Sequence, residues 1–238
     1  MPDWKQLGEE ILSWFLHPNC PLCGRSAQSV LCDNCDRQLN QYQWSNPKFL
    51  DRRLRLPEGE APAATVGQGN LSVFTWGQYS GLLKRAIASL KYEHQPQLAR
   101  PLGERLGQTW LKASAFPASG KPLVVPIPLH PEKQKQRGYN QAELIARAFC
   151  ETTRLPLQPQ GLKRIKPTEA LFGLSPKQGE NQVADAFVIG KGFNSQGKIM
   201  LLDDIYTTGA TVNAARITLQ KAGFQVIGVC AIAKPKTR

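Results

Sequence analysis

The sequence predicts an α/β fold with a small cysteine-rich module at its amino-terminal end. Three observations carry that expectation. From residue 71 onward, short apolar runs alternate with segments of helical period. One such run, residues 199–211, is an apolar strand that ends in two acids and opens through a hydroxyl-rich turn into a helix. Four of the six cysteines fall in two Cys-x-x-Cys pairs within residues 20–35. The 238 residues suffice for one sizeable α/β domain and an appendage, and 41% hydrophobic content is that of an ordinary packed protein. No apolar run approaches the ~20 residues needed to cross a bilayer. The first residues also lack the apolar core of a secretory signal, so the expected location is the cytoplasm.

At the start, Trp4, Leu7, Ile11, Trp14 and Phe15 recur at helical spacing. They imply an amphipathic helix of about four turns that packs on its own domain, with peripheral membrane or partner association as the alternative. Next come Cys20-Pro-Leu-Cys23 and Cys32-Asp-Asn-Cys35. Two such knuckles bring four thiolates together for tetrahedral zinc, and four sulfurs leave no open position for water, so the metal is expected to be structural. Gly24 suits the tight turn after the first pair. A redox disulfide needs only one pair beside a βαβ unit, and a secreted disulfide framework needs an oxidising compartment. The module is too short for a core of its own, so zinc is expected to supply much of its folding energy. Residues 1–45 form this module. Residues 46–69, rich in Pro, Gly and Ala around a basic run, form a linker, and residues 70–238 form the main domain.

In the main domain, residues 71–76 read as a strand and 79–90 as a helix burying Leu82, Leu83, Ala86, Ile87 and Leu90. Residues 97–111 form a second helix, with Leu98, Leu102, Leu106 and Leu111. Residues 123–130 are a short buried strand stopped by prolines, followed by a basic loop and a helix to about Cys150. Cys150 and Cys230 lie in apolar surroundings and read as small buried hydrophobes.

The strand–turn–helix at 199–223 has the parts needed to hold a phosphorylated ribose. Vicinal hydroxyls are accepted by carboxylates, here Asp203 and Asp204. A phosphate dianion takes backbone N–H groups, hydroxyls and the positive end of a helix. Thr207, Thr208 and Thr211 offer hydroxyls, while Gly209 and Ala210 let the backbone approach. Ala215, Leu219 and Ala222 share one face of the helix, and Gly223 suits its C-cap. A P-loop would need Gly-x-x-x-x-Gly-Lys-Ser/Thr, which is absent.

This pattern resembles the type I phosphoribosyltransferases, which bind 5-phosphoribosyl 1-pyrophosphate with Mg2+. The resemblance implies a twisted, mostly parallel sheet flanked by helices. It also implies that the basic segment contacts pyrophosphate through Lys133, Lys135, Arg137, Gly138, Tyr139 and Asn140, with Arg137 foremost. Cations there would stabilise charge on the departing pyrophosphate. Over nearly its whole length the chain is similar to the ComF family (ComF/GntX). The likeness lies in the four-cysteine knuckle, Tyr79-Ser-Gly-Leu-Leu-Lys-Arg-Ala-Ile with Lys91-Tyr92, Val125-Pro-Ile-Pro-Leu-His130, Arg137-Gly-Tyr-Asn-Gln-Ala-Glu-Leu and Leu201-Leu-Asp-Asp-Ile-Tyr-Thr-Thr-Gly-Ala-Thr. The family implies a role in natural competence, with single-stranded DNA and DNA-import proteins as partners. One stretch departs from the family pattern: Leu171 stands where a Gln is usual. Lys177-Gln178 replaces an Arg, although Leu174-Ser175, Asn181 and Ala186-Phe187 are kept.

A formal charge of +12 points to an anionic partner or to a solvated basic surface. Lys84, Arg85, Lys91 and Tyr92 combine cations with an aromatic, as single-stranded nucleic-acid binders do. Three functional readings therefore stand. One is a DNA-uptake protein with a phosphoribosyl pyrophosphate pocket. Another is an active phosphoribosyltransferase of nucleotide metabolism, with Asp203, Asp204 and Arg137 catalytic and its acceptor chosen by residues 151–190 or the zinc module. The third is a sensor that binds phosphoribosyl pyrophosphate without turnover.

Overall fold

The apolar runs form a sheet covered on both faces. In the computed structural model, residues 19–45, 50–51, 71–113, 121–166, 185–195 and 197–236 are described. The amino-terminal helix expected around Trp4–Phe15, most of the linker and the divergent stretch from 167 to 184 lie outside them.

In chain order the elements are α1 (Asp33–Asn40), β1 (Leu50–Asp51), β2 (Ser72–Gln78), α2 (Gly81–Tyr92), a 3-10 turn (Pro96–Leu98), α3 (Ala99–Lys112), β3 (Leu123–Pro126), α4 (Pro131–Arg137), α5 (Gln141–Thr153), β4 (Leu162–Arg164), β5 (Phe187–Ile189), β6 (Ile199–Ile205), α6 (Ala210–Lys221) and β7 (Val226–Lys234). The main sheet runs β1-β2-β7-β6-β3. Its four longer strands are parallel, and β1 pairs antiparallel at the edge. This is the mostly parallel, helix-flanked sheet that the sequence led us to expect. β6 and β7 are nearly continuous apolar runs because both of their faces are covered.

Two cores lie on opposite faces. One joins Met200, Leu202, Cys230 and Ile232 to the inner faces of α2, α3 and α5. The other joins Ile199, Leu201, Val229 and Ala231 to α6 and to the antiparallel hairpin β4–β5. Cys150 and Cys230 are buried in the first, as expected, and burial pushes the Cys150 thiol up to about 12. Among the described residues no helix is long and apolar enough to cross a membrane.

Three local readings change. In α3 it is Trp110, not Leu111, that continues the buried stripe; Leu111 is 54% exposed. The reason is spacing: Trp110 lies four residues after Leu106 and so on the same face. Its ring stands edge-on to Phe74 and Phe149, with centroids 5.2 and 5.8 Å away. The basic segment expected as a loop is largely the helix α4, with Pro131 at its first position and Gly138 at φ +85° closing it. The cysteine module does not stand apart. Leu22, Leu31 and Leu39 share the core of α2 and α3, Arg105 of α3 bonds Asp36 and Asn40, and Gln43 donates to Thr109 at 3.1 Å.

α3 and α5 pack closely because Gly103 and Gly107 lie on the contact face. A Cβ at Gly103 would stand 2.5 Å from the Ile145 carbonyl oxygen and 2.7 Å from the Ala148 Cβ. Gly103→Ala is therefore expected to destabilise by about 1–3 kcal/mol through forced separation, even though alanine alone favours a helix by about 1 kcal/mol. Urea denaturation measures the sign; a gain in stability would mean that the two helices can part freely.

Candidate functional site

Side chains along a strand alternate between faces, and β6 continues that alternation into its acids. Ile199 and Leu201 face the α6 core, Met200 and Leu202 the α2–α3–α5 core. The acidic pair is thereby divided. Asp204, 3% exposed, turns to α2, where its carboxylate lies 2.8 Å from Lys91 Nζ. Asp203 turns the other way and lines a concavity open to solvent, with Ile205, Tyr206, Thr207, Gly209, Ala210, Thr211 and Val212.

The concavity sits on the amino-terminal end of α6. Gly209, at φ +83°, makes the turn into the helix, and Thr208 Oγ1 accepts the Ala210 N–H at 3.3 Å. Tyr206 packs beneath: a Cβ on Gly209 would meet its hydroxyl at 2.5 Å. Asp203 Oδ1 accepts the Asp204 N–H at 2.8 Å. Burial, and then the Asp204 charge, pushes the Asp203 carboxyl above its usual range, although Lys91 opposes this. Burial alone would lower Lys91, but the Asp204 carboxylate outweighs it and holds the ammonium above its ordinary value.

The residues expected to meet pyrophosphate build a joint between α4, α5 and the end of α2. Tyr139 donates to the Leu90 carbonyl at 2.7 Å, and the Arg137 guanidinium lies 5.5 Å from the Tyr92 ring centroid while bonding Gln141. Asn140 is buried. Its amide donates to the Ile127 carbonyl and its oxygen caps α5 at the Ala142 N–H, both at 3.1 Å. Lys133 and Lys135 stand exposed on α4, Lys84 and Arg85 exposed on α2, and Tyr92 is 68% exposed.

Lys91 departs from the expected basic surface, since its charge is spent on Asp204. The signal was available: Lys91 lies four residues after Ile87 and eight after Leu83, both fully buried, and so on the inner face of α2. Tyr206 and Val212, which complete the concavity, were not singled out from the sequence because they read as ordinary apolar positions.

The four module cysteines place their sulfurs within 4.8 Å of one another, with Cys23 and Cys32 Sγ 3.5 Å apart. Ligands at about 2.3 Å around a tetrahedral zinc would stand about 3.8 Å apart, so these four are positioned to hold a metal ion. The first knuckle is a tight turn in which Cys23 and Gly24 N–H bond the Cys20 carbonyl, with Gly24 at φ +75°. Burial raises the Cys20 thiol, but N–H groups of Cys32, Leu22 and Cys23 prevail and bring it to about 7, while burial and the neighbouring sulfurs raise Cys35.

No family model matches the chain. It is 30% identical to Competence protein F of Haemophilus influenzae over 212 residues, covering 87% of this chain and 92% of that one. The chain belongs to the ComF family. This ComF-family chain is also 30% identical to Competence protein ComFC of Bacillus subtilis, over 85% of its own length and 72% of the relative's. Its identity to the DNA utilization protein YhgH of Escherichia coli is 24%, over 88% and 87% of the two lengths. Solved structures that it resembles include adenine phosphoribosyl transferase from Trypanosoma brucei (12% identity, TM-score 0.38, 68% of this chain and 71% of that one) and UMP synthase from Leishmania donovani (16%, 0.37, 97% and 35%). At scores this low the fold rests instead on the strand order and register above.

The two acids should respond oppositely to amide substitution. Asp204→Asn leaves Lys91 buried without a counter-charge, an expected loss of roughly 3 kcal/mol. Asp203 holds its proton in the folded chain where the unfolded chain has released it, so its presence lowers stability as pH rises above the unfolded value near 4. Asp203→Asn is therefore expected to be more stable than the parent at about pH 8, with the difference closing toward about pH 4. Urea melts at several pH values check both signs.

Proposed function

We propose that this protein binds 5-phosphoribosyl 1-pyrophosphate, as its Mg2+ complex, in the concavity between β6 and α6, and that it serves DNA uptake. The observation that carries the reading is Asp203 on the wall of a concavity whose other side is the threonine turn and the first residues of α6. The 5-phosphate would sit on the positive end of α6 among Thr207, Thr208, Gly209, Ala210 and Thr211. The ribose hydroxyls would bond Asp203, with Asp204 held behind it by Lys91. Mg2+ would neutralise the diphosphate charge. Lys133, Lys135 and Arg137 would meet the pyrophosphate from α4, while Gly138, Tyr139 and Asn140 set the position of that helix.

The competence and DNA utilization names of the relatives support the DNA role. So does the exposed set Lys84, Arg85, Tyr92, Lys133 and Lys135 around the joint of α2 and α4, which combines cations with a stacking platform for single-stranded DNA. The metal of the four-cysteine cluster is proposed to be zinc with a purely structural role.

Calorimetric titration of Mg2+–phosphoribosyl pyrophosphate tests the pocket. Asp203→Asn is expected to weaken binding at least tenfold when the titration is run above about pH 8, where the parent carboxyl has released its proton, since hydrogen bonds to a charged group are worth about 1.5–3 kcal/mol. Absence of binding by the parent protein would sink the reading. Metal analysis of the purified chain is expected to find one zinc per chain, lost in Cys32→Ser together with thermal stability. Single-stranded DNA affinity is expected to fall steeply with salt, and more weakly in Lys84→Ala/Lys133→Ala/Lys135→Ala. No affinity at low salt would reject the DNA role.

A further inference from the structure

The hairpin β4–β5 closes the face of the sheet to which Asp203 turns. Phe187 of β5 is 3% exposed and shares a core with Tyr206, Ala210 and Val212, three residues of the concavity wall. Directly across the ladder stands Arg164 of β4, its guanidinium 5.4 Å from the Phe187 ring centroid. The ring packs against the planar cation and leaves the N–H edge to bond something else. Among the described residues, the buried Nε of Arg164 has no hydrogen-bond partner. An orphaned donor of this kind costs about 1–3 kcal/mol, which a ligand bringing acceptor oxygens would recover. Burial draws the guanidinium below its ordinary value and the Asp203 charge pulls it back.

The other cations near the acids lie elsewhere. Lys91 pairs with Asp204 from α2, and Arg137 sits over Tyr92 at the α4 joint. In the phosphoribose reading, on which this inference rests, α6 takes the 5-phosphate and α4 takes the pyrophosphate. Arg164 then lies on the remaining side, on the hairpin whose Phe187 packs behind the concavity wall.

We propose that Arg164, backed by Phe187, is a specificity-determining residue that selects an acceptor molecule bearing a carboxylate or phosphate group. A guanidinium fork matches either group with two parallel hydrogen bonds, which a neutral acceptor of the same shape does not accept. The site therefore favours the acidic member of any matched pair.

The test is calorimetric titration of paired probes into protein saturated with Mg2+–phosphoribosyl pyrophosphate: nicotinate against nicotinamide, orotate against uracil, and anthranilate against aniline for the carboxylate, with O-phosphoethanolamine against ethanolamine for the phosphate. At least one acidic member is expected to bind tenfold or more tightly than its neutral partner. The pairs that respond tell which acid group is read. Arg164→Gln is expected to abolish the difference and Arg164→Lys to keep part of it. Both variants should retain parental affinity for Mg2+–phosphoribosyl pyrophosphate and a melting temperature no lower than the parent's, which a merely structural arginine would not allow. If Arg164→Gln folds poorly, the Lys variant alone decides: selection undiminished by the loss of the planar fork rejects the assignment. No discrimination by the parent protein, or discrimination that survives Arg164→Gln, overturns the proposal and leaves the phosphoribose site standing. Weakened phosphoribosyl pyrophosphate binding in the variant moves Arg164 to the pyrophosphate and overturns it equally. A parent protein that binds no phosphoribosyl pyrophosphate removes the underlying reading and this inference with it.

Discussion

The contact between Lys91 and Asp204 sets the position of everything around it. Each ion alone would lose several kcal/mol on leaving water, and only close pairing offsets that loss. The carboxyl end of α2 is therefore pinned to the end of β6 at 2.8 Å. The Leu90 carbonyl that holds Tyr139 and the Tyr92 ring beneath Arg137 belong to the same last turn of α2. Through that turn the α4–α5 joint takes its place relative to the acids. A ligand that bonds Asp204 must compete with the Lys91 ammonium, so Asp203 is the acid open to the proposed sugar.

The same division limits what the chain's charge can do. Lys91 is spent on Asp204, Arg105 bonds Asp36, Arg147 bonds Glu143, and the buried Arg216 bonds Asn213 within α6. These cations hold the fold together and offer little to a polyanion. Lys84, Arg85, Lys133 and Lys135 are exposed and are placed on two helices that meet at one joint.

Much of the frame was legible because its signals are local. Residues 199–223 announced strand, turn and helix through an apolar run, a turn of small residues and a helical stripe, and the structure has the three elements, with Ala215 and Leu219 buried and Ala222 exposed past the helix end. The cysteine cluster followed from spacing alone. What escaped had to come from contacts across the chain, or from periodicity pressed further than the residue types invited. Alternation along β6 already implied that adjacent acids face opposite layers, and the spacing from Leu83 and Ile87 put Lys91 inside. A lysine inside is unusual enough that its type outweighed its position. Arg164 gave no such signal: its stacking partner Phe187 is 23 residues away and Asp203 further still, so only the fold brings them together.

The metal cluster reaches the acids by contiguous packing. Leu22, Leu31 and Leu39 of the cysteine module lie in one core with Leu83, Ile87 and Leu90 of α2, the helix that carries Lys91. A module with too little apolar surface to fold alone would, without its metal, withdraw these side chains from that core. The inner face of α2 would then lose part of the packing that holds Lys91 against Asp204. With the metal proposed to be structural, the four cysteines act through packing rather than through chemistry. By keeping α2 in place, they serve the opposite end of the helix, where the chemistry is proposed to occur.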